Sequence, residues 1–399
     1  MAAAFAVALA VEALDELVGG TNGAALPLMR AGLRLSYTEI GLLVAMPLLI
    51  GGLLELPFGL IAGQGQRRNR LVLLGGAVFA GSLVLVALSP GFLALLVGFV
   101  VFFPASGAFV SFTQAALMDS DPDRRQQRMA GWNLAGAAGA VAGPLLVVGT
   151  LAAGGTWRYA YLLLAGLAVV TVGLAVAGGP ARPSLEEPSR DDNEARRVTV
   201  REAIRAVREG GAVRWLVLLE VSDLLLDVLT GYAGLYLVGV AHASPQLAAV
   251  GVAVRLAATL AGDALFVPLA HRITARAALV STAAAAAVLY PAFLLLPWLG
   301  AKLAALAALS IVTACWYPVA KAGLYGSLPG NSGIAVFWTS VTGLAGSAGP
   351  LLVGVVAQQA GLGWALALLA VTPLAVLALA SRQQRLIGCS DDRNITSQS

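Results

Sequence analysis

Charge is scarce in this 399-residue chain: Asp, Glu, Lys and Arg make up 12% of it, roughly half of what a soluble domain carries. Lysine is nearly missing, with only Lys302 and Lys321. Two cysteines, Cys315 and Cys389, and two histidines, His242 and His271, fall in separate segments, so neither a disulfide framework nor a zinc or hydrolase constellation can be assembled from them. No Gly-x-x-x-x-Gly-Lys-Ser/Thr loop occurs, which excludes a P-loop-driven pump. An enzyme reading therefore has no centre to stand on, and no cofactor is expected. The formal net charge of +4 comes from arginines in short connections and bears on topology, not on nucleic-acid binding.

What fills the chain is apolar: 59% hydrophobic residues and a mean hydropathy of +0.84. A bilayer crossing needs about 20 apolar residues, and such runs follow one another at 4–29, 39–63, 71–88, 91–116, 130–152, 158–178, 214–240, 245–270, 277–295, 298–325, 333–358 and 362–381. They are continuous rather than alternating, so they must be helices, which satisfy their own backbone groups in lipid. The expected fold is an all-α polytopic membrane protein of twelve transmembrane helices. The first run lacks a basic segment ahead of it and continues past its acids to Pro27, so it reads as a span and not as a signal peptide. The 46 glycines suit close helix–helix approach.

Basic residues orient the spans. One set of connections and the tail hold 20 Arg and Lys, the other set holds four (Arg30, Arg34, Arg158 and Lys302), and Arg255 lies within a span. This asymmetry predicts that both termini are cytoplasmic. Residues 181–213 are polar, charged and Pro-containing at first, and read as a cytoplasmic linker between six-helix halves at 1–180 and 214–382, with a tail over 383–399.

The halves repeat. AGPLLVVG at 142–149 returns as AGPLLVG at 348–354, and Glu12-x-x-Asp15 returns as Glu220-x-x-Asp223. Glu55 matches Asp263, Arg68 matches Arg276, and Pro122 matches Pro329, all at nearly one offset. Parallel repeats of this kind are a transporter architecture with a midplane site between the halves.

Eight acids fall at membrane depth: Glu12, Asp15, Glu16, Glu55, Glu220, Asp223, Asp227 and Asp263. At 100° per residue, Glu12, Asp15 and Glu16 lie at about 0°, 300° and 40°, while Glu220, Asp223 and Asp227 lie at about 0°, 300° and 340°. Each set is one stripe. A mid-membrane acid costs roughly 2.5–3.5 kcal/mol to insert and usually faces a cavity or a partner. Burial disfavours the charged form of any carboxyl, which suits a proton carrier, and a cavity lined by acids attracts cations. Three readings stay open: coupling and substrate sites, structural ion pairs such as Arg255 with Asp227 or Asp223, and oxygen ligation of a hard cation. Asn22 shares the acid-bearing face of the first span. Gln114 and Lys321 correspond between the halves, and Tyr232, Tyr236, Trp316, Tyr317 and Trp338 either line a cavity or simply pack.

Two motifs resemble those of the major facilitator superfamily. GLIAGQGQRR after the second span keeps Gly59, Arg67 and Arg68, with Gly63 in place of the family's acid. The second copy, PLAHRITAR, keeps Arg272 and Arg276 and puts His271 at the acid position. GAVAGPLLVVG is similar to the family's antiporter signature, with Gly139, Gly143, Pro144 and Gly149. DELVGGTNGAALPLMRAGLRLSYTEIGLL also resembles the opening of fosmidomycin-resistance-type drug exporters, although the His before the Asp is absent. The resemblance implies two pseudo-symmetric six-helix bundles that alternate access. It also implies a small-molecule substrate and a monomer in the cytoplasmic (inner) membrane. The function expected is proton-coupled export of cationic or amphipathic compounds, with Asp15 as the leading coupling residue and Glu12 and Asp223 next. The alternatives are a cation or metal exporter and a membrane-embedded enzyme or receptor.

Overall fold

The computed structural model describes residues 2–61, 66–119, 124–177, 211–270, 272–328 and 332–381, and every regular element among them is helical. Six unbroken helices come first: α1 (Ala2–Leu33), α2 (Tyr37–Ile61), α3 (Gln66–Leu88), α4 (Phe92–Asp119), α5 (Arg125–Ala152) and α6 (Trp157–Ala177). Three more continuous helices follow: α7 (Ala212–Gly239), α8 (Pro245–Leu269) and α9 (Ala275–Leu295). The remaining three spans are each in two pieces: α10 (Leu299–Thr313) with α11 (Trp316–Gly326), α12 (Ser332–Gly346) with α13 (Ala348–Ala360), and α14 (Leu362–Leu368) with α15 (Val371–Ser381). These are the twelve rods that the apolar runs predict. Ten are long and apolar enough to cross a bilayer. The two outside that set, α1 and α7, are those whose apolar runs are interrupted by the clustered acids.

Each break lies close to a proline. Pro318, Pro350 and Pro373 are each the third residue of the second piece. A proline lacks the N–H that would bond the carbonyl four residues back, and its ring crowds that carbonyl. Counting back four reaches Ala314, Gly346 and Leu369, which lie at or next to the three joints. Around Leu369 the chain tightens to three-residue bonds, Leu369 N–H to Leu366 O at 3.0 Å and Ala370 N–H to Ala367 O at 3.1 Å. Pro144 in α5, the repeat partner of Pro350, does not interrupt its helix.

Contacts divide the chain into two compact units. One comprises residues 1–197, 228–256 and 347–362, and the other 198–227, 257–346 and 363–399. In the first unit α1 lies along α5 and also meets α4 and α6, α3 packs on α4 and α6, and α2 packs on α4 and α13. Glycine sets the α1–α5 spacing. A Cβ at Gly139 would collide with the Ala13 carbonyl, one at Gly143 with the Leu17 carbonyl, and one at Gly20 with the Ala140 carbonyl. That last oxygen is the one Pro144 leaves without its helical donor, so Gly20 makes room where the proline opens α5. Across the same seam the Thr21 hydroxyl donates to Leu17 O (2.8 Å) and approaches Gly143 O (3.2 Å). At the start of α2, Ser36 and Glu39 form a capping box: the Ser36 N–H and hydroxyl donate to Glu39 Oε2 at 2.7 and 2.8 Å, and the Glu39 N–H donates to Ser36 Oγ at 3.2 Å. In the second unit α9 packs on α10, α11 and α15, and α11 meets α12.

Candidate functional site

In the first unit the acids of α1 point at different neighbours. Asp15 turns toward α4, where the Ser106 hydroxyl donates to its Oδ1 at 2.6 Å. Glu12, about 60° round the helix, turns toward α5. Its carboxylate takes a hydrogen bond from the Trp132 indole, and its Oε1 lies only 2.7 Å from where a Cβ would stand on Gly136. Trp132 itself is buried, 2% exposed. Glu16 is exposed. All three are electrostatic neighbours, Glu12 feeling both Glu16 and Asp15. Two turns on, the buried Tyr161 hydroxyl donates to Asn22 Oδ1. That joins α1 to α6.

The second unit repeats the pattern on the first half of α7. Glu220 hydrogen-bonds the Thr342 side chain of α12, and its Oε2 is 2.5 Å from where a Cβ would stand on Gly346. The spacing is the same in both units: a hydrogen-bonding side chain and, four residues later, a glycine that admits the carboxylate. Trp132 and Gly136 do this for Glu12, and Thr342 and Gly346 for Glu220. Asp223, like Asp15, looks toward the fourth span of its half, but it finds a cation there. Lys321 of α11 lies within electrostatic reach and donates to the Tyr317 hydroxyl at 2.7 Å. Asp227 and Glu220 are its other charged neighbours.

The remaining expected residues are dispersed. Arg255 of α8 is buried, and its guanidinium donates to Thr230 Oγ1 at 2.8 Å. Asp263 is exposed on the far part of α8. Gly139, Gly143 and Pro144 serve the α1–α5 seam. Glu55 and Gly59 lie on α2, and Arg67 and Arg68 on the first turn of α3; their side chains are outside the described residues, as are Gly63, His271, Pro122, Pro329 and the linker over 181–210. Of the aromatics, Tyr232, Tyr236 and Trp316 are buried packing residues and Tyr232 donates to Pro350 O at 2.7 Å, whereas Tyr317 is exposed beside Lys321. Among the described residues no three His, Cys, Asp or Glu converge as metal ligands. The acids of α1 diverge toward separate neighbours instead of sharing one centre.

Sequence reasoning missed Ser106, Trp132, Gly136, Thr342 and Gly346. A lone serine or glycine in an apolar helix carries no signal until the facing helix is known.

Comparison with known proteins bears on the family and the fold. The sequence profile described as Major Facilitator Superfamily matches residues 8–329. A search of curated proteins finds no match. Among solved structures, the chain is similar to an inward-facing, unoccupied bacterial homologue of the human lysosomal transporter Spinster, with a TM-score of 0.77, 14% identity, and 94% of this chain and 95% of that one covered. It is similar to the nucleoside transporter NupG at a TM-score of 0.72 and 11% identity, covering 95% and 98% of the two chains. A variant of the peptide transporter POT gives 0.74 and 15%, covering 96% and 95%. At such identities the likeness speaks for the fold alone.

Proposed function

The chain belongs to the major facilitator superfamily, and on that premise we propose that it couples proton entry to the export of cationic or amphipathic small molecules. It is a multi-pass membrane protein and a secondary transporter, not an enzyme, and it moves a small-molecule substrate by alternating access. Proton coupling is supported above all by Asp15, a mid-helix carboxylate whose hydrogen-bond partner is the neutral Ser106 hydroxyl. An ionised carboxylate in that position attracts a cation, a protonated one does not, and so a cationic substrate and a proton compete for one group. Only differential binding between the two access states can drive them apart, and the ionisation of Asp15 supplies such a difference. Glu16, exposed on the same stripe, offers a second negative charge to the substrate.

Export is supported by the antiporter-like GAVAGPLLVVG segment. The narrower likeness to fosmidomycin-resistance exporters rests on the residues alone. The arginine asymmetry supports both termini on the cytoplasmic side of a cytoplasmic membrane. The test is flux in proteoliposomes across a panel of organic cations, with and without an imposed pH gradient. Asp15→Asn keeps shape and hydrogen bonding but cannot ionise, and is expected to lose gradient-driven flux while inserting normally. Wild-type flux with unchanged pH dependence in that variant would sink the reading.

A further inference from the structure

Serine and threonine hydroxyls inside a helix ordinarily donate to their own carbonyl four residues back. Thr21, Thr113, Thr171, Ser222 and Ser310 all do so here, at 2.6–2.8 Å. Ser106 does not. Its hydroxyl leaves α4 and reaches Asp15 Oδ1 at 2.6 Å. A hydroxyl has one proton to give. With Asp15 ionised, that proton belongs to the carboxylate. Once Asp15 carries its own proton, the charge that drew the hydroxyl across is gone and Ser106 can return to Phe102 O, the back-bond its neighbours make.

Among the described residues nothing else near Asp15 competes for this role. On α1 the charged neighbours are Glu12 and Glu16, both acids. α4, α5 and α6 contain only Asp119, Arg125, Arg128 and Arg158 as charged residues. Arg128 is committed to Leu117 O (3.1 Å) and sits by the Phe5 ring near the start of α1; Arg158 is committed to Ala87 O (2.6 Å) and the Trp157 ring. Tyr161 is the titratable group of α6 on this side, and it is bonded to Asn22. The parts of α7 and α8 in the same unit bring Arg255, bonded to Thr230. Thr230 meets α1 at Gly23, eight residues and roughly 12 Å along the helix from Asp15.

We infer that Ser106 is the positioning residue for Asp15: its hydroxyl stabilises the ionised carboxylate and ties α1 to α4 while that charge is present. The inference rests on the coupling role proposed for Asp15 and adds to it how the state of Asp15 is set and which helix senses it. Loss of a donor to the charged form makes the carboxyl hold its proton to higher pH.

The test needs no transported compound. In the purified full-length protein reconstituted in lipid, infrared difference titration isolates the carboxyl band that Asp15→Asn removes. Ser106→Ala is expected to raise the midpoint of that band by about one pH unit, the size of one charge-assisted bond. Ser106→Thr, which keeps the hydroxyl, should stay close to the parent. Should Ser106→Ala fail to fold, Ser106→Cys, a weaker donor of similar size, is expected to give an intermediate rise. An unmoved midpoint in Ser106→Ala, an equal rise in Ser106→Thr, or a parent protein with no titrating Asp15 band would each overturn the inference. The two readings fail separately. Retained gradient-driven flux in Asp15→Asn removes the coupling role, whereas lost flux in Asp15→Asn with an unmoved Ser106→Ala midpoint removes only the role of Ser106.

Discussion

Asp223 lies within electrostatic reach of Lys321, and Lys321 holds the Tyr317 hydroxyl; Asp15, its repeat partner, meets a neutral serine. The duplication thus keeps the acid and changes its company. Asp223 thus has a cation within reach as well as the acids Asp227 and Glu220, whereas the hydrogen-bond partner of Asp15 is a neutral hydroxyl. Lys321→Met should leave Asp223 among acids without this cation and lower the thermal midpoint. Adding Asp223→Asn should recover part of that loss, with a coupling of about 1 kcal/mol between the two sites. Strictly additive midpoints in the double variant would mean the pair does not interact.

At the scale of elements, the α1–α5 seam is built from glycines that cannot be replaced without moving backbone, because the clashing atoms at Gly139 and Gly143 are carbonyls and amides of α1. Gly143→Leu is expected to destabilise by at least the 1–3 kcal/mol typical of overpacking and to lower the melting temperature in detergent. Gly149, in the same helix, has open space where a Cβ would stand, with nothing within 4 Å. Gly149→Ala should be neutral or slightly stabilising, since alanine is the better helix former by about 1 kcal/mol. Similar melting temperatures for the two variants would contradict the seam. Much at this scale was legible beforehand. The apolar runs mark the spans, and Gly139 and Gly143 mark a packing face. The direction in which each acid points was not legible. Glu12 and Asp15 differ by about 60° on α1, and which residue meets them depends on the register of α4 and α5, fixed by contacts far apart in sequence.

For the whole molecule, twelve helices and an internal repeat could be read from apolar runs and a recurring offset because lipid leaves the backbone so few choices. The topology makes its own demand. Single cysteines placed in 183–210 of a cysteine-free variant should react with an impermeant thiol reagent only after the membrane is opened; labelling from outside intact cells would reverse the assigned orientation. The joints carry a different consequence. In the first half, spans four to six are uninterrupted, and in the second half their counterparts are all divided at Ala314–Cys315, Ser347 and Leu369–Ala370. A continuous hydrogen-bonded rod resists bending along its whole length, because every rung must stretch a little. A divided rod bends at a few dihedral angles and leaves both pieces intact. The divided spans of the second half therefore have joints at which to bend that their uninterrupted counterparts in the first half lack.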